Sequence, residues 1–167
     1  CSDGQGGAYV IWKDNATSSY GDIVATHLSS TGNIAYGVGV PIITHSSYRS
    51  SPSLNTGGSG TAVLVWSDDQ NADEDLYAQQ ISVGDNTINT EWGNGGKLVC
   101  DATGDQTSPR VAQYNGDETI ITWEDARSGN TNTDAYYQIL DGSGNGTLTE
   151  EHGVSACIGD WQIIKPR

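Results

Sequence analysis

The chain has no methionine and no phenylalanine, three cysteines, four prolines, and seven basic residues against 21 acidic ones. Each scarcity excludes something. At a formal charge of −14 the surface repels phosphate backbones, so nucleic acid is excluded as a partner and anionic membranes are disfavoured. No apolar run approaches the roughly 18–20 residues of a bilayer-crossing helix, so no membrane span is expected. Three cysteines are an odd count without C-x-x-C spacing, which removes the common zinc and redox motifs. No stretch carries apolar residues at a helical period. With no initiator Met and no signal segment before Cys1, the chain reads as a mature or truncated product.

What is present is glycine, 22 residues of it, with five tryptophans and eight tyrosines. Apolar residues come in runs of four or five between loops rich in Gly, Asn, Asp, Ser and Thr. That is the composition of many short strands joined by turns. At 167 residues the chain is long enough for a sizeable core.

The strings "GGAYVIWKDN" (6–15), "GTAVLVWSDD" (60–69) and "DETIITWEDA" (117–126) are versions of one another. Trp12, Trp66 and Trp123 stand 54 and 57 residues apart, each followed two residues later by Asp14, Asp68 or Asp125. A second aspartate then opens "DIVATHL" (22–28), "DLYAQQI" (75–81) and "DAYYQIL" (134–140). Turns rich in Gly or Asn follow, then "GVPIIT", "GKLVC" and "GVSAC", and last a proline, Pro52, Pro109 or Pro166. One unit therefore holds four strands: one led by the proline, one by the Trp string, one by the second Asp, and a short last one. Approximate units are 1–51, 52–108 and 109–167.

The columns Tyr9/Val63/Ile120, Val10/Leu64/Ile121 and Ile11/Val65/Thr122 are apolar or β-branched on both faces of the second strand. Such a strand must be covered on both sides. Sheets stacked between similar sheets do this, and radial stacking is a β-propeller. The expected fold is all-β and propeller-like, with three four-stranded blades. A unit of about 56 residues is nearest the length of kelch-type blades. Propellers have four to eight blades, so the ring is expected to be completed by remaining blades of a longer chain, the preferred reading, or by a second copy.

The stretches "DGQGGAYVIWKDN" with "GDIVATHLSSTGN", and "TSPRVAQYNGDETIITWEDARSGNTNTDAYYQILDGSGNG", resemble a repeat of secreted bacterial surface proteins. Its form is a proline-led strand, a "DGxGG" turn, "vvWeD.R", then "DiyaQ". It is common in Bacteroidetes-like bacteria, in proteins many of which leave by the type IX route. The resemblance spans the chain and implies propeller blades at the cell surface or outside the cell. It implies no catalytic residue. "SDGQGGAYVIW" is also similar in architecture to the Asp-box of sialidase-type propellers, but Asp3 stands too far from Trp12.

Trp12, Trp66 and Trp123 recur at one position and are expected in the core. Trp92 and Trp161 fall outside that column and are the candidate exposed ligand contacts. Asp68, Asp69, Asp73 and Asp75 crowd the loop "SDDQNADED" and form a candidate Ca²⁺ site, since Ca²⁺ takes several hard oxygens. The preferred reading is that each accepts loop N–H bonds, as aspartates do in turns. His27, His45 and His152 lack ligand spacing, and no G-x-S-x-G elbow is present. Cys100 and Cys157 share a repeat position and are expected as buried thiols too far apart to bridge.

The expected function is a non-catalytic extracellular module for binding, adhesion or surface assembly, recognising a glycan or a surface protein. One alternative is the propeller portion of a sialidase- or glycosidase-like enzyme. Another is a structural filament or surface-layer component.

Overall fold

The computed structural model of the chain describes residues 1–16, 18–84, 87–129 and 133–156. Trp161, Cys157, Pro166 and Arg167 lie outside the described residues. The described residues are all-β, with no helix. Three antiparallel sheets follow one another along the chain.

The first sheet is β1 (Ala8–Asp14), β2 (Asp22–Leu28) and β3 (Val40–Ile43), in that order. The second is β4 (Arg49–Gly58), β5 (Thr61–Asp68), β6 (Asp75–Val83) and β7 (Ile88–Thr90), with β8 (Lys97–Cys100) also paired to β6. The third runs β9 (Gln106–Gln113), β10 (Thr119–Asp125), β11 (Asp134–Leu140) and β12 (Val154–Ser155). The four expected strands are all present in the second and third sheets. The second adds β7, which the other two sheets reduce to single bridges, Leu28 with Ile34 and Leu140 with Gly146. In the first, Cys1 stands where a proline-led strand would pair: Cys1 and Tyr9 exchange both main-chain bonds, at 2.8 and 2.9 Å. Ala112 faces Ile120 in the same way in the third sheet.

The expected unit boundaries at 52 and 109 fall inside strands, because β4 begins at Arg49 and β9 at Gln106. Both Ser-Pro pairs are bulges. Ser51 and Ser108 have φ of 52° and 55°, and the ladder register slips beside each. Proline cannot donate to the ladder, so a strand holds it at a bulge. Between β4 and β5 the chain turns on Ser59 and Gly60, with φ of 49° and 85°. Two left-handed residues in a two-residue loop make the type I′ turn that matches strand twist.

Side chains alternate along a strand, and β5 uses both faces. Ala62, Leu64 and Trp66 join Tyr9, Ile23, Ala25 and Ile43 in a core between the first and second sheets. Val63 and Val65 join Val111, Ile121, Trp123 and Leu140 in a core between the second and third. Every residue from Ala62 to Asp68 is buried. Each large apolar side chain so buried contributes about 1.5–3 kcal/mol, which makes β5 the centre of stability.

In all three sheets the tryptophan ring lies on a glycine at the entry to the last strand. A Cβ built on Gly39, Gly96 or Gly153 would stand within 2.8 Å of the ring of Trp12, Trp66 or Trp123 respectively. No side chain fits there unless the ring shifts. Gln79 and Gln138 tie in the loops before those strands. Gln79 Nε2 donates to Gly93 O at 2.6 Å and its Oε1 accepts from Trp92 N at 2.8 Å. Gln138 does the same with Glu150 O and Leu148 N at 3.1 and 3.3 Å. Thr26 holds this position in the first sheet, and its buried Oγ1 has no hydrogen-bond partner among the described residues.

Candidate binding face at the hairpin mouths

The three central hairpins share one register. Asp14 faces Asp22, Asp68 faces Asp75, and Asp125 faces Asp134 at their open ends. The two aspartates of each repeat unit are therefore cross-strand neighbours. The reason for Trp-x-Asp is also visible. Residues i and i+2 share a strand face, so the indole N–H reaches the carboxylate. Trp66 Nε1 donates to Asp68 Oδ2 at 3.3 Å, and Trp123 Nε1 donates to Asp125 Oδ2 at 2.8 Å.

Between the first and second sheets the mouths are joined by a buried cation. Arg49, 1% exposed, lies between Asp22 Oδ1 at 3.4 Å and Asp68 Oδ2 at 3.6 Å. It also donates to Gly21 O at 3.3 Å and to His45 O. Gln106 opens β9 as Arg49 opens β4, and donates to Ala102 O and Gly104 O at 2.8 and 2.6 Å. Arg127 pairs with Asp125 at 2.7 Å, reaches Cys100 Sγ and His152 O on other segments, and lies 3.9 Å over the Tyr136 ring. Burial raises the Asp125 carboxyl, but the bonds from Arg127 and Trp123 outweigh it and hold it below the usual carboxylate range.

The four aspartates of the acidic loop each turn to a different partner. Asp68 accepts from Trp66 and from Gln70 N, Asp69 from Tyr48 N at 2.6 Å, Asp73 from Gly104 N at 3.0 Å, and Asp75 from Asn71 Nδ2 at 2.8 Å. Among the described residues no three His, Cys, Asp or Glu side chains are grouped as a metal site requires. Each of the four carboxylates accepts a turn or junction hydrogen bond. Burial, reinforced by Asp101, Asp73 and Asp68, pushes the Asp75 carboxyl up. Burial also raises Glu74, with Asp105 and Asp69 adding to it.

Trp92 is not the exposed platform expected from its place outside the repeated column. It is 8% exposed. Its Nε1 donates to Gly142 O at 3.2 Å, and its ring lies on Gly144. It therefore joins the second sheet to the third. Its edge borders a polar cleft of about 340 Å³ with Gln80, Glu91, Lys97 and Ser143. Trp66 and Trp123 are core residues at 1% and 3% exposure. Cys100 is a buried free thiol, pushed up to about 11 by burial, and Cys1 is free and exposed.

The histidines are separate. His27 pairs with Asp3 at 2.8 Å in a buried site against Tyr9. Asp3 also accepts from Gln5 N and Gly7 N, and these bonds hold its carboxyl low. His45 meets Ser47 at 3.2 Å, and His152 meets Asp101 at 3.0 Å.

Two aromatic side chains at the mouths of the first and second sheets were not singled out from the sequence. Tyr20 and Tyr48 are 45% and 46% exposed. Their backbones are fixed: Tyr20 O accepts from Arg49 N at 3.1 Å, and Tyr48 exchanges main-chain and carboxylate bonds with Asp69. Lys13 Nζ stands 3.6 Å over the Tyr48 ring. Their signal in the sequence is position, since each immediately precedes a mouth segment, "GD" at 21–22 or Arg49. This face offers exposed rings, a cation and carboxylates on a rigid base.

No protein-family model matches the chain, and no curated protein is significantly similar to it.

Proposed function

We propose that the chain is a non-catalytic, extracellular module of propeller-type stacked sheets that binds a glycan or a surface protein through its hairpin-mouth loops. The observation that carries this reading is the pair Tyr20 and Tyr48. Both are about half exposed, on backbones anchored by the buried Arg49 and by Asp69. Exposed rings on a pre-organised base bind with little ordering cost. The acidic surround favours a ligand with hydroxyls or cationic groups over an anionic one. The extracellular setting rests on the acidity and on the resemblance to secreted surface repeats.

Binding to a glycan array and to a panel of basic surface proteins tests it. Tyr48→Ala and Tyr20→Ala should each weaken the retained ligand at least tenfold while leaving the melting temperature within a few degrees. A retained ligand that neither variant weakens would remove this face from the reading.

A further inference from the structure

The tryptophan faces of the three sheets are equivalent in register but not in cover. Trp66 is 1% exposed and Trp123 is 3% exposed, each against the preceding sheet. Trp12 is only half-buried, and Val10 beside it on the same face of β1 is 43% exposed. The loop that carries Gly39 onto Trp12 also exposes Ile34 at 59% and Val38 at 93%. Among the described residues no sheet covers this face. An apolar patch of this kind marks an interaction surface.

The chain itself indicates what fits there. Within it, a tryptophan face always meets the opposite face of the neighbouring sheet. In the second sheet that opposite face is Val63, Val65, Leu76 and Ala78, packed on the third sheet. In the third sheet the same register positions are Ile120, Thr122, Ala135 and Tyr137. They face away from the second sheet, and no further sheet covers them among the described residues. One chain therefore carries both halves of an interface that it already uses twice.

Resting on the propeller-type reading above, we infer that the open tryptophan face of the first sheet is covered by the outer face of the third sheet of a second copy of this chain. The pairing occurs twice about a two-fold axis. Two copies then supply six sheets, within the four to eight of a closed propeller. Each copy carries −14, so the contact forms against like-charge repulsion and tightens as salt screens it.

Sedimentation velocity and light scattering over a hundredfold concentration range, at low and high sodium chloride, test this. The expected result is a monomer–dimer equilibrium whose dissociation constant falls with salt. Val10→Lys and Thr122→Lys, on the two mating faces, should each raise that constant at least tenfold, although both reduce the negative charge. Val10→Thr, isosteric and strand-compatible, is the second variant and should weaken the dimer in the same direction. A monomer under all conditions, a dimer that these variants leave unchanged, or assemblies larger than a dimer would overturn the inference. Ligand binding at Tyr20 and Tyr48 is read separately. A monomer that still binds its ligand defeats the pairing and leaves the binding face standing.

Discussion

Trp123 and Asp125 are a single unit: the indole N–H donates to Asp125 Oδ2 at 2.8 Å. The bond has a geometric cause. Residues two apart lie on one face of β10, and the ring has turned back over Gly153, so its N–H points along the strand to the mouth. The same carboxylate takes both Nε and a terminal nitrogen of Arg127. A core aromatic is thereby linked to the charged junction between sheets.

Asp125→Asn should destabilise the protein by about 2 kcal/mol at neutral pH, the scale of hydrogen bonds to a charged group. The folded carboxyl lies below its unfolded value, because the Arg127 and Trp123 bonds outweigh the effect of burial. Its contribution is thus present above the ordinary carboxylate range and is lost as pH falls through the lower folded value. Urea melts at neutral pH and near pH 2 check this: the gap between variant and parent should narrow in acid.

How much of this was legible depends on sequence distance. The double-faced burial of β5 was readable, because Val63, Leu64 and Val65 are all apolar and alternation leaves no polar face. The register of Asp68 with Asp75 was readable from a short loop. Arg49 was not, since its carboxylates lie in two different units, at Asp22 and Asp68. Trp92 was misread for the same reason. Its cover comes from Gly142 and Gly144, some fifty residues on, and nothing local announces it. The short β7 left no signal, because it spans only Ile88–Thr90 and the other units hold the same pairing as a single bridge, Leu28 with Ile34 and Leu140 with Gly146.

Gly96→Ala should cost roughly 3 kcal/mol, the upper range for overpacking a tight core. Gly96 has φ of 81°, and an added Cβ would stand 2.8 Å from the Trp66 ring, with Ala78 backbone on its other side. Neither can yield, since Trp66 is 1% exposed. Gly39, with φ of 95°, carries the same backbone strain, but the atoms nearest its added Cβ belong to the Trp12 and Val24 side chains, and the half-buried Trp12 has room to move. Thermal melts of the two variants should rank Gly96→Ala well below Gly39→Ala.

Arg49→Ala should be among the most damaging single changes, at about 3–5 kcal/mol, the cost of leaving a buried ion pair without one partner. It strands Asp68, which is 3% exposed, and removes the tie to Asp22. Arg49→Met with Asp68→Asn should recover much of the loss, because Asp68 then no longer leaves an uncompensated buried charge. Chemical denaturation of the single and double variants gives the coupling directly.

Asp75 leads to the opposite pH behaviour from Asp125. Burial, with Asp101, Asp73 and Asp68 nearby, raises its carboxyl above the unfolded value. The folded state therefore binds more protons than the unfolded one between those two values, and stability falls as pH rises through that window. Above it the ionised carboxylate remains a net penalty. Asp75→Asn keeps a side-chain oxygen to accept from Asn71 Nδ2 and removes the charge. Its expected effect is a higher melting temperature at neutral pH and little change in acid, where the parent is already protonated. A variant that melts lower than the parent at neutral pH would show that the charge on Asp75 is stabilising and that the burial argument fails.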